Sequence, residues 1–132
     1  MQELIEGIKK SEGFVGVVYK DSLGIDTIGY GTRMPLDEEE AALILEHRLN
    51  KKIEHLLKEK PFIRELSINR QNVLFEMAYQ LGVNGLLGFK KMFNALENKD
   101  YRNAKLEGLD SKWRKQTPLR AKRMMDIIAE GQ

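Results

Sequence analysis

Three acidic side chains, Glu12, Asp21 and Asp26, lie close together near the N-terminus. The segment that holds them, SEGFVGVVYKDSLGIDTIGYGT (residues 11–32), also contains five glycines and two threonines. Glycoside hydrolysis requires two carboxyl groups in unlike environments, because one must be protonated and the other ionised. The segment contains this minimum set, and no other reaction class has its minimum parts there.

Glu12 lies at the end of a predicted first helix, residues 2–11, just before a plausible glycine stop. At about 100° per residue, Ile5, Ile8 and Glu12 share a narrow arc of that helix. Partial burial on this apolar stripe and the negative end of the helix dipole would both favour the protonated carboxyl. A general acid needs that form. A frayed helix end with Glu12 in water is the alternative.

Asp21 opens the turn DSLG (residues 21–24), which separates a β-rich segment from a returning strand. Aspartate suits the first position of such a turn and glycine the fourth, so Asp21 has a purely structural explanation as well. Asp26 has the weaker case for chemistry, because it is predicted at the exposed exit of the turn.

The returning strand TIGYGT (residues 27–32) contains two glycines, which is unusual for a strand. Strand alternation predicts Thr27, Gly29 and Gly31 on one face. Glycine weakens a strand unless another molecule or chain must approach the backbone closely. A polysaccharide lying along this face, in contact with Gly29, would be such a molecule. A bulge or a sharply twisted hairpin is the other explanation.

The remaining chain is predicted to be helical. A long helix covers about 37–59, would be ~30 Å long, and ends before Pro61. Its apolar stripe is Ala42, Leu45, Leu49, Ile53 and Leu56. It would connect a small hairpin lobe, about 14–34, to a helical body, about 61–132 plus the N-terminal helix. We expect one domain over 1–132, of α+β class and mostly α.

Within the body, Ser67 is predicted to cap a helix whose stripe is Val73, Leu74, Met77, Ala78 and Leu81. GVNGLLG (82–88) reads as a glycine-rich connection, followed by helices over about 89–96 and 101–106. Thr117 and Pro118, as cap and first helical residue, open the last helix. Its apolar positions are Met124, Ile127 and Ile128.

Composition and charge exclude some classes of protein and suggest one kind of partner. The chain has 132 residues, no cysteine and no apolar run long enough to cross a bilayer. Its first residues carry charges instead of an apolar core, so we expect no signal peptide. Residues 1–60 have net charge −3 and residues 61–132 have +5, with six basic and no acidic side chains in 112–123. A basic face suggests an anionic partner, although a solvated helix surface explains it equally well.

Three separated blocks resemble one known family. Glu12, Asp21 and Thr27 lie in the pattern EG-x5-YKD-x5-TIGYG, which closely resembles the phage-type lysozymes, glycoside hydrolase family 24. MAYQLGVNGLLGF (77–89) resembles that family's helix and glycine turn. SKWRKQTPLRAKR (111–123) resembles its W-x2-Q-x-P-x-R-A-x-R block. The blocks occur in the family's order and cover most of the chain.

The resemblance implies hydrolysis of the β-1,4 bond between N-acetylmuramic acid and N-acetylglucosamine in peptidoglycan, without a cofactor. Glu12 would be the general acid. Asp21 would stay ionised, stabilise positive charge on the sugar and help to activate water. Thr27 would hold that water on the opposite face, which gives inversion. Arg120 would pair with Glu12 and fix its orientation.

The resemblance also assigns residues of the body. Tyr79 and Gln80 would line the sugar cleft, although a core aromatic and a helix-surface amide are the plainer explanations. Trp113 is expected in the core. His47 and His55 have no ligand set near them in the sequence, so we expect no metal site.

Two departures from the family stand out. Thr32 replaces the histidine that commonly follows TIGxG, so any ion pair made by that histidine is absent. The long helix also begins only a few residues after Gly31, so the hairpin lobe is expected to be shorter. We expect catalytic activity to be retained despite both differences.

The resemblance further implies a monomeric phage or prophage endolysin. Such a protein is made in the host cytoplasm and acts on the periplasmic cell wall after release through a holin pore. Lytic transglycosylation of the same substrate is the nearest alternative, because it needs Glu12 but no paired aspartate. A nucleic-acid-binding helical protein that uses residues 112–123 is a further alternative, which leaves the glycines unexplained; we expect no nucleic-acid partner.

Overall fold

The structure, a computed structural model, describes all 132 residues and confirms a mostly helical α+β fold. Its elements in chain order are α1 (Gln2–Glu12), β1 (Val15–Lys20), β2 (Asp26–Gly29), β3 (Thr32–Arg33), α2 (Glu38–Glu59), a 3-10 helix (Pro61–Glu65), α3 (Ile68–Leu81), α4 (Val83–Leu87), α5 (Lys90–Glu97), α6 (Tyr101–Leu109), α7 (Lys112–Gln116) and α8 (Pro118–Glu130). The chain forms two compact units, residues 1–44 and 45–132. No helix is long and apolar enough to cross a membrane.

The N-terminal unit contains an antiparallel sheet with strand order β1-β2-β3. Thr27 pairs with Tyr19 of β1 on one side and with Arg33 of β3 on the other. The register of β1 and β2 shifts between Val15 and Tyr19, and the extra residues lie in β1 instead of in the glycine-containing returning strand. The central strand therefore places Thr27 between two strands that carry polar side chains.

The prediction of one strand over residues 27–32 is wrong. β2 ends at Gly29, the chain turns at Tyr30 and Gly31, and Thr32 begins β3. The reason is the backbone, since Gly29 has φ +71° and Gly31 has φ +72°, values that favour glycine. These left-handed residues end the regular alternation of side chains, so Gly31 lines the same pocket as Thr27 from a turn and not from a continuous strand.

Helix α1 has the predicted limits but not the predicted burial. It ends at Glu12, and Gly13 follows with φ +72°. No residue of α1 is buried, and Ile8 is 47% exposed. The expectation that Glu12 is partly desolvated on a buried stripe is therefore wrong in this structure, since the whole stripe faces solvent.

Helix α2 has the predicted length and ends before Pro61 as expected. Its apolar stripe is buried only towards the C-terminal end, where Leu56 is fully buried and Leu49 and Ile53 are half-buried. Ala42 and Leu45 remain exposed. The helix thus contributes to the core of the C-terminal unit through its last three turns.

The C-terminal unit is built around one hydrophobic core. Ser67 caps α3 as predicted, because its hydroxyl accepts a hydrogen bond from the Arg70 N–H at 3.2 Å. The predicted stripes of α3 and α8 face this core, although Leu81 and Ile127 are only half-buried. The buried residues are Leu56, Ile63, Leu66, Val73, Leu74, Met77, Ala78, Val83, Leu86, Met92, Phe93, Ala95, Leu96, Ala104, Trp113, Ala121, Met124, Met125 and Ile128.

The structure of this unit differs from the prediction at four places. Residues 82–88 are not a simple connection, since α4 buries Val83 and Leu86 at helical spacing. Helix α6 extends to Leu109, and α7 was not predicted at all. Pro118 does open α8, but the Thr117 hydroxyl donates to the Trp113 carbonyl at 3.1 Å and does not cap that helix.

Candidate active site

A pocket of about 600 Å³ opens in the N-terminal unit. It brings together Glu12 from the end of α1, Asp21 from the turn and Thr27 from β2. The other lining residues are Tyr19, Ser22, Gly31 and Arg33. The three side chains to which the family resemblance assigns chemistry therefore share one polar pocket.

Asp21 is held by the turn that it opens. Its Oδ1 accepts hydrogen bonds from the N–H groups of Leu23 at 2.8 Å and Ile25 at 2.9 Å. Its Oδ2 accepts one from Arg33 Nε at 3.1 Å, and the side chain is only 16% exposed. The turn explanation and the catalytic explanation are thus compatible, because the turn uses one oxygen and leaves the other to the pocket.

These contacts also fix the charge of Asp21. The hydrogen bond from the Ile25 N–H, together with those from Leu23 and Arg33, holds the pKa of the Asp21 carboxyl below its ordinary value. Partial burial acts in the opposite direction but does not prevail. Asp21 is therefore a carboxylate at any pH near neutrality, as the sequence predicted for the ionised member of the pair.

Thr27 is nearly inaccessible, at 2% exposure, because β2 is the middle strand of the sheet. Its hydroxyl donates to the Ile25 carbonyl at 2.9 Å. The hydroxyl hydrogen is therefore already used in a hydrogen bond. The Oγ1 atom can still accept a hydrogen bond from another group. A water in the pocket could donate a hydrogen bond to this oxygen.

The Glu12 carboxyl packs directly on the backbone of Gly31. A Cβ atom at residue 31 would lie 2.5 Å from Glu12 Oε2 and 2.7 Å from Glu12 Cδ. The positive φ of Gly31 therefore favours glycine, and a larger residue there would displace the Glu12 carboxyl. Close approach to a glycine was predicted on this segment, but the group that approaches Gly31 is Glu12 of the same chain.

Asp26 and Gly29 lie outside the lining of this pocket. Asp26 is exposed and pairs with Lys20 Nζ at 2.6 Å, so the expectation that it is a surface residue is confirmed. A substituent on Gly29 would meet no atom within 4 Å, so its glycine requirement comes from φ. A sugar contact at Gly29 stays a prediction.

Two other predicted substrate residues belong to the C-terminal unit. Tyr79 is 39% exposed and lines an apolar pocket of about 310 Å³. The Gln80 side-chain carbonyl accepts a hydrogen bond from Trp113 Nε1 at 3.0 Å, which leaves its NH2 group to donate elsewhere. Trp113 itself is 3% exposed and packs edge-on against Phe89, so its assignment to the core is confirmed.

Arg120 also lies in the C-terminal unit, where it binds Glu76. Arg120 Nε and NH2 are each 2.9 Å from Glu76 Oε2, and the Arg123 NH2 group is 3.3 Å from the same atom. The sequence did not predict this cluster, because α3 and α8 are far apart in the chain. The pairing of Arg120 with Glu12 stays a prediction.

Arg33 was also missed by the sequence analysis. It lines the pocket and binds Asp21 because β3 places it opposite Thr27. The sequence does show Thr32 and Arg33 directly after the last glycine. Their pairing with β2 could not be predicted, because it depends on the turn at Tyr30 and Gly31. No group of three or more histidine, aspartate or glutamate side chains could hold a metal ion.

The chain was also compared with known proteins. Residues 9–126 match the family model described as phage lysozyme, which is most of the chain and includes the whole pocket. The chain belongs to the phage lysozyme family. It is therefore a glycoside hydrolase of the lysozyme type, the class of enzymes that hydrolyse peptidoglycan.

Curated relatives of this family member include two proteins of Dictyostelium discoideum. One, described as probable T4-type lysozyme 1, is 29% identical over 94% of this chain and 92% of its own length. The other, probable T4-type lysozyme 2, is 26% identical over 99% of this chain and 96% of its own length. The pre-baseplate central spike protein Gp5 of Enterobacteria phage T4 is 29% identical over 97% of this chain, which spans 28% of Gp5.

This phage lysozyme family member is shorter than its relatives within the aligned region. The first alignment spans 156 positions, whereas 94% of 132 residues is about 124 residues, so about 30 aligned positions have no counterpart here.

Proposed function

We propose that this enzyme cleaves the β-1,4 bond between N-acetylmuramic acid and N-acetylglucosamine in peptidoglycan by an inverting mechanism. The observation that carries the proposal is the shared pocket of Glu12, Asp21 and Thr27, in which the pKa of Asp21 is lowered. Hydrogen bonds keep the Asp21 carboxylate ionised, whereas the Glu12 carboxyl lies against Gly31 and makes no hydrogen bond within the protein. Two carboxyl groups in such unlike environments are what glycosidic hydrolysis requires.

In the proposed reaction, Glu12 donates its proton to the glycosidic oxygen as the bond to the anomeric carbon breaks. The leaving sugar departs as an alcohol, and the remaining ring acquires oxocarbenium character. Asp21 stabilises that positive charge. Because its lowered pKa makes it a weak base, electrostatic stabilisation is its main contribution.

A water molecule then attacks the anomeric carbon from the face opposite the leaving group. This water donates a hydrogen bond to Thr27 Oγ1, whose own hydrogen is committed to the Ile25 carbonyl. As the new carbon–oxygen bond forms, the water passes one proton to Asp21, from which it is released to solvent, and its other hydrogen remains on the product hydroxyl. Inversion needs the two carboxyl groups ~6.5–9.5 Å apart, so that this water fits between the sugar and Asp21.

The remaining assignments extend the same proposal. Gly29, Tyr79 and Gln80 would contact the glycan, with the Gln80 NH2 group as a donor to sugar oxygens. Arg120 would pair with Glu12 and fix its orientation. In its biological role the enzyme would be a monomeric endolysin for host cell lysis, made in the host cytoplasm and released to the periplasmic wall through a holin.

The test is the clearing of a Gram-negative peptidoglycan suspension by the wild type, Glu12→Gln and Asp21→Asn. We expect both variants to lose at least 100-fold in kcat while remaining folded, as is typical when a general acid or a charge-stabilising group is removed. Asp26→Asn is the matched control, because it removes a carboxylate on the same hairpin that lies outside the pocket. Its activity should stay within about twofold of the wild type.

Product analysis completes the experiment. Hydrolysis leaves reducing muramic acid ends, and NMR of the first product formed should show the inverted anomer. Anhydromuramic acid ends, together with an active Asp21→Asn variant, would overturn the proposal in favour of lytic transglycosylation. Failure of the wild type to clear the suspension would overturn it altogether.

A further inference from the structure

Arg33 is the only basic side chain that lines the pocket of Glu12, Asp21 and Thr27. It bonds Asp21 through Nε alone, and the side chain is 58% exposed. Neither terminal nitrogen of the guanidinium makes a hydrogen bond within the N-terminal unit. Four of its five N–H donors are therefore free at the rim of the pocket.

Free guanidinium N–H groups are the preferred donors for a carboxylate, because their planar fork matches its two oxygens. Asp21 bonds the Nε side of the Arg33 guanidinium and thereby fixes the orientation of that group. β3 fixes the position of the main chain, since Arg33 pairs with Thr27 in the sheet. The remaining edge is thus a preorganised donor pair beside the proposed cleavage site.

We propose that Arg33 is a specificity-determining residue whose terminal N–H groups bind a carboxylate of the peptide stems attached to the glycan. This inference rests on the proposed function, because it concerns the substrate of the same pocket. It adds that the enzyme distinguishes peptide-bearing, anionic glycan from a neutral one. The carboxylate would approach the outer edge of Arg33, away from Asp21, because the negative charge of Asp21 repels it.

The proposal is tested by changing the charge of the peptide stems on the substrate. The substrates are peptidoglycan fragments with native stem carboxylates and the same fragments after conversion of those carboxylates to neutral amides. The quantity compared is the ratio of kcat/KM on native to amidated fragments, for the wild type and for Arg33→Gln. Any effect of Arg33 on Asp21 is common to both substrates and cancels in the ratio.

For the wild type we expect kcat/KM to be about tenfold higher on native than on amidated fragments, chiefly through a lower KM. This is the effect expected of one partly exposed pair of charge-assisted hydrogen bonds. For Arg33→Gln the ratio should fall close to one. Arg33→Lys, which keeps the charge but loses the fork, should be intermediate.

Arg102→Gln is the matched control, because Arg102 is an exposed arginine of α6 without an ion pair. It removes the same charge, so it measures general attraction to the anionic wall, and its ratio should match the wild type. Equal ratios for the wild type and Arg33→Gln would overturn the proposal and leave Arg33 as a partner of Asp21 only. A wild type inactive on both fragment types would instead refute the proposed function.

Discussion

At the scale of single residues, the candidate site depends on main-chain donors and on one glycine as much as on the acids. Asp21 is oriented by two N–H groups of its own turn, and Glu12 rests on Gly31. The only side chain that bonds either acid is Arg33, which is itself positioned by the backbone of β3. The geometry of the pocket is therefore determined by backbone conformation, which makes it sensitive to substitutions that add only one carbon atom.

Gly31→Ala should inactivate the enzyme more than it destabilises it. The added Cβ would lie 2.5 Å from Glu12 Oε2, so the carboxyl must move. Such a displacement of a catalytic group costs on the order of 100-fold in kcat. The positive φ adds ~1–2 kcal/mol of destabilisation.

Gly82→Ala separates these two effects. Gly82 has φ +79°, but a Cβ there would meet no atom within 4 Å. It should lower the free energy of unfolding by a similar amount and leave most of the activity intact. Thermal melts and clearing rates of both variants provide the measurement, and equal activities of the two would contradict the role given to Gly31.

At the scale of elements, two helical glycines of the C-terminal unit have opposite surroundings. A Cβ on Gly108 of α6 would collide with Met125 Sδ of α8 and would lie 3.2 Å from Met92 Sδ of α5. Gly85 of α4 has only the Leu81 Cβ nearby, at 3.4 Å, which is ordinary contact. The first glycine thus permits close packing of three helices, and the second does not.

Alanine substitution should therefore change stability in opposite directions at these sites. Gly108→Ala should destabilise by ~1–3 kcal/mol, because the packed methionines must shift. Gly85→Ala should be neutral or stabilise by up to ~1 kcal/mol, since alanine favours helix. Urea unfolding of both variants tests this, and a Gly108→Ala protein as stable as the wild type would show that the methionines repack freely.

At the scale of the whole molecule, charge is distributed unevenly along the chain. Residues 61–132 carry net charge +5, and the acidic excess lies in residues 1–60. In α7 the basic side chains Lys112, Arg114 and Lys115 are exposed and make no ion pair, whereas Arg120 and Arg123 share Glu76. The unpaired cations are the ones available to an anionic cell wall.

Binding to peptidoglycan should therefore weaken as salt rises. A variant with Lys112, Arg114 and Lys115 changed to glutamine should bind less at about 0.02 M ionic strength and match the wild type at about 0.3 M, where screening is strong. Cosedimentation of the inactive Glu12→Gln protein with intact walls measures this without cleavage. A salt-independent difference would show that α7 contacts the wall through more than charge.

The amino-acid sequence by itself determined the longer helices, the fold class and the identity of the pocket acids, but it did not indicate α4 or α7. Apolar periodicity, Ser67 and Pro61 define α2 and α3, because these signals act within a few residues of the chain. The spacing of Glu12, Asp21 and Thr27 indicated the chemistry, since all three lie at the end of α1 or on the hairpin that directly follows it.

Only the tertiary structure decided which groups hold those acids and what surrounds them. Arg33 reaches Asp21 because Gly29 and Gly31 adopt positive φ and reverse the chain, whereas strand alternation had predicted a continuous face. Glu76 meets Arg120 because α3 packs against α8, and Glu12 is exposed although its helical stripe is apolar. Contacts between residues distant in sequence depend on packing and register, which local propensity does not determine.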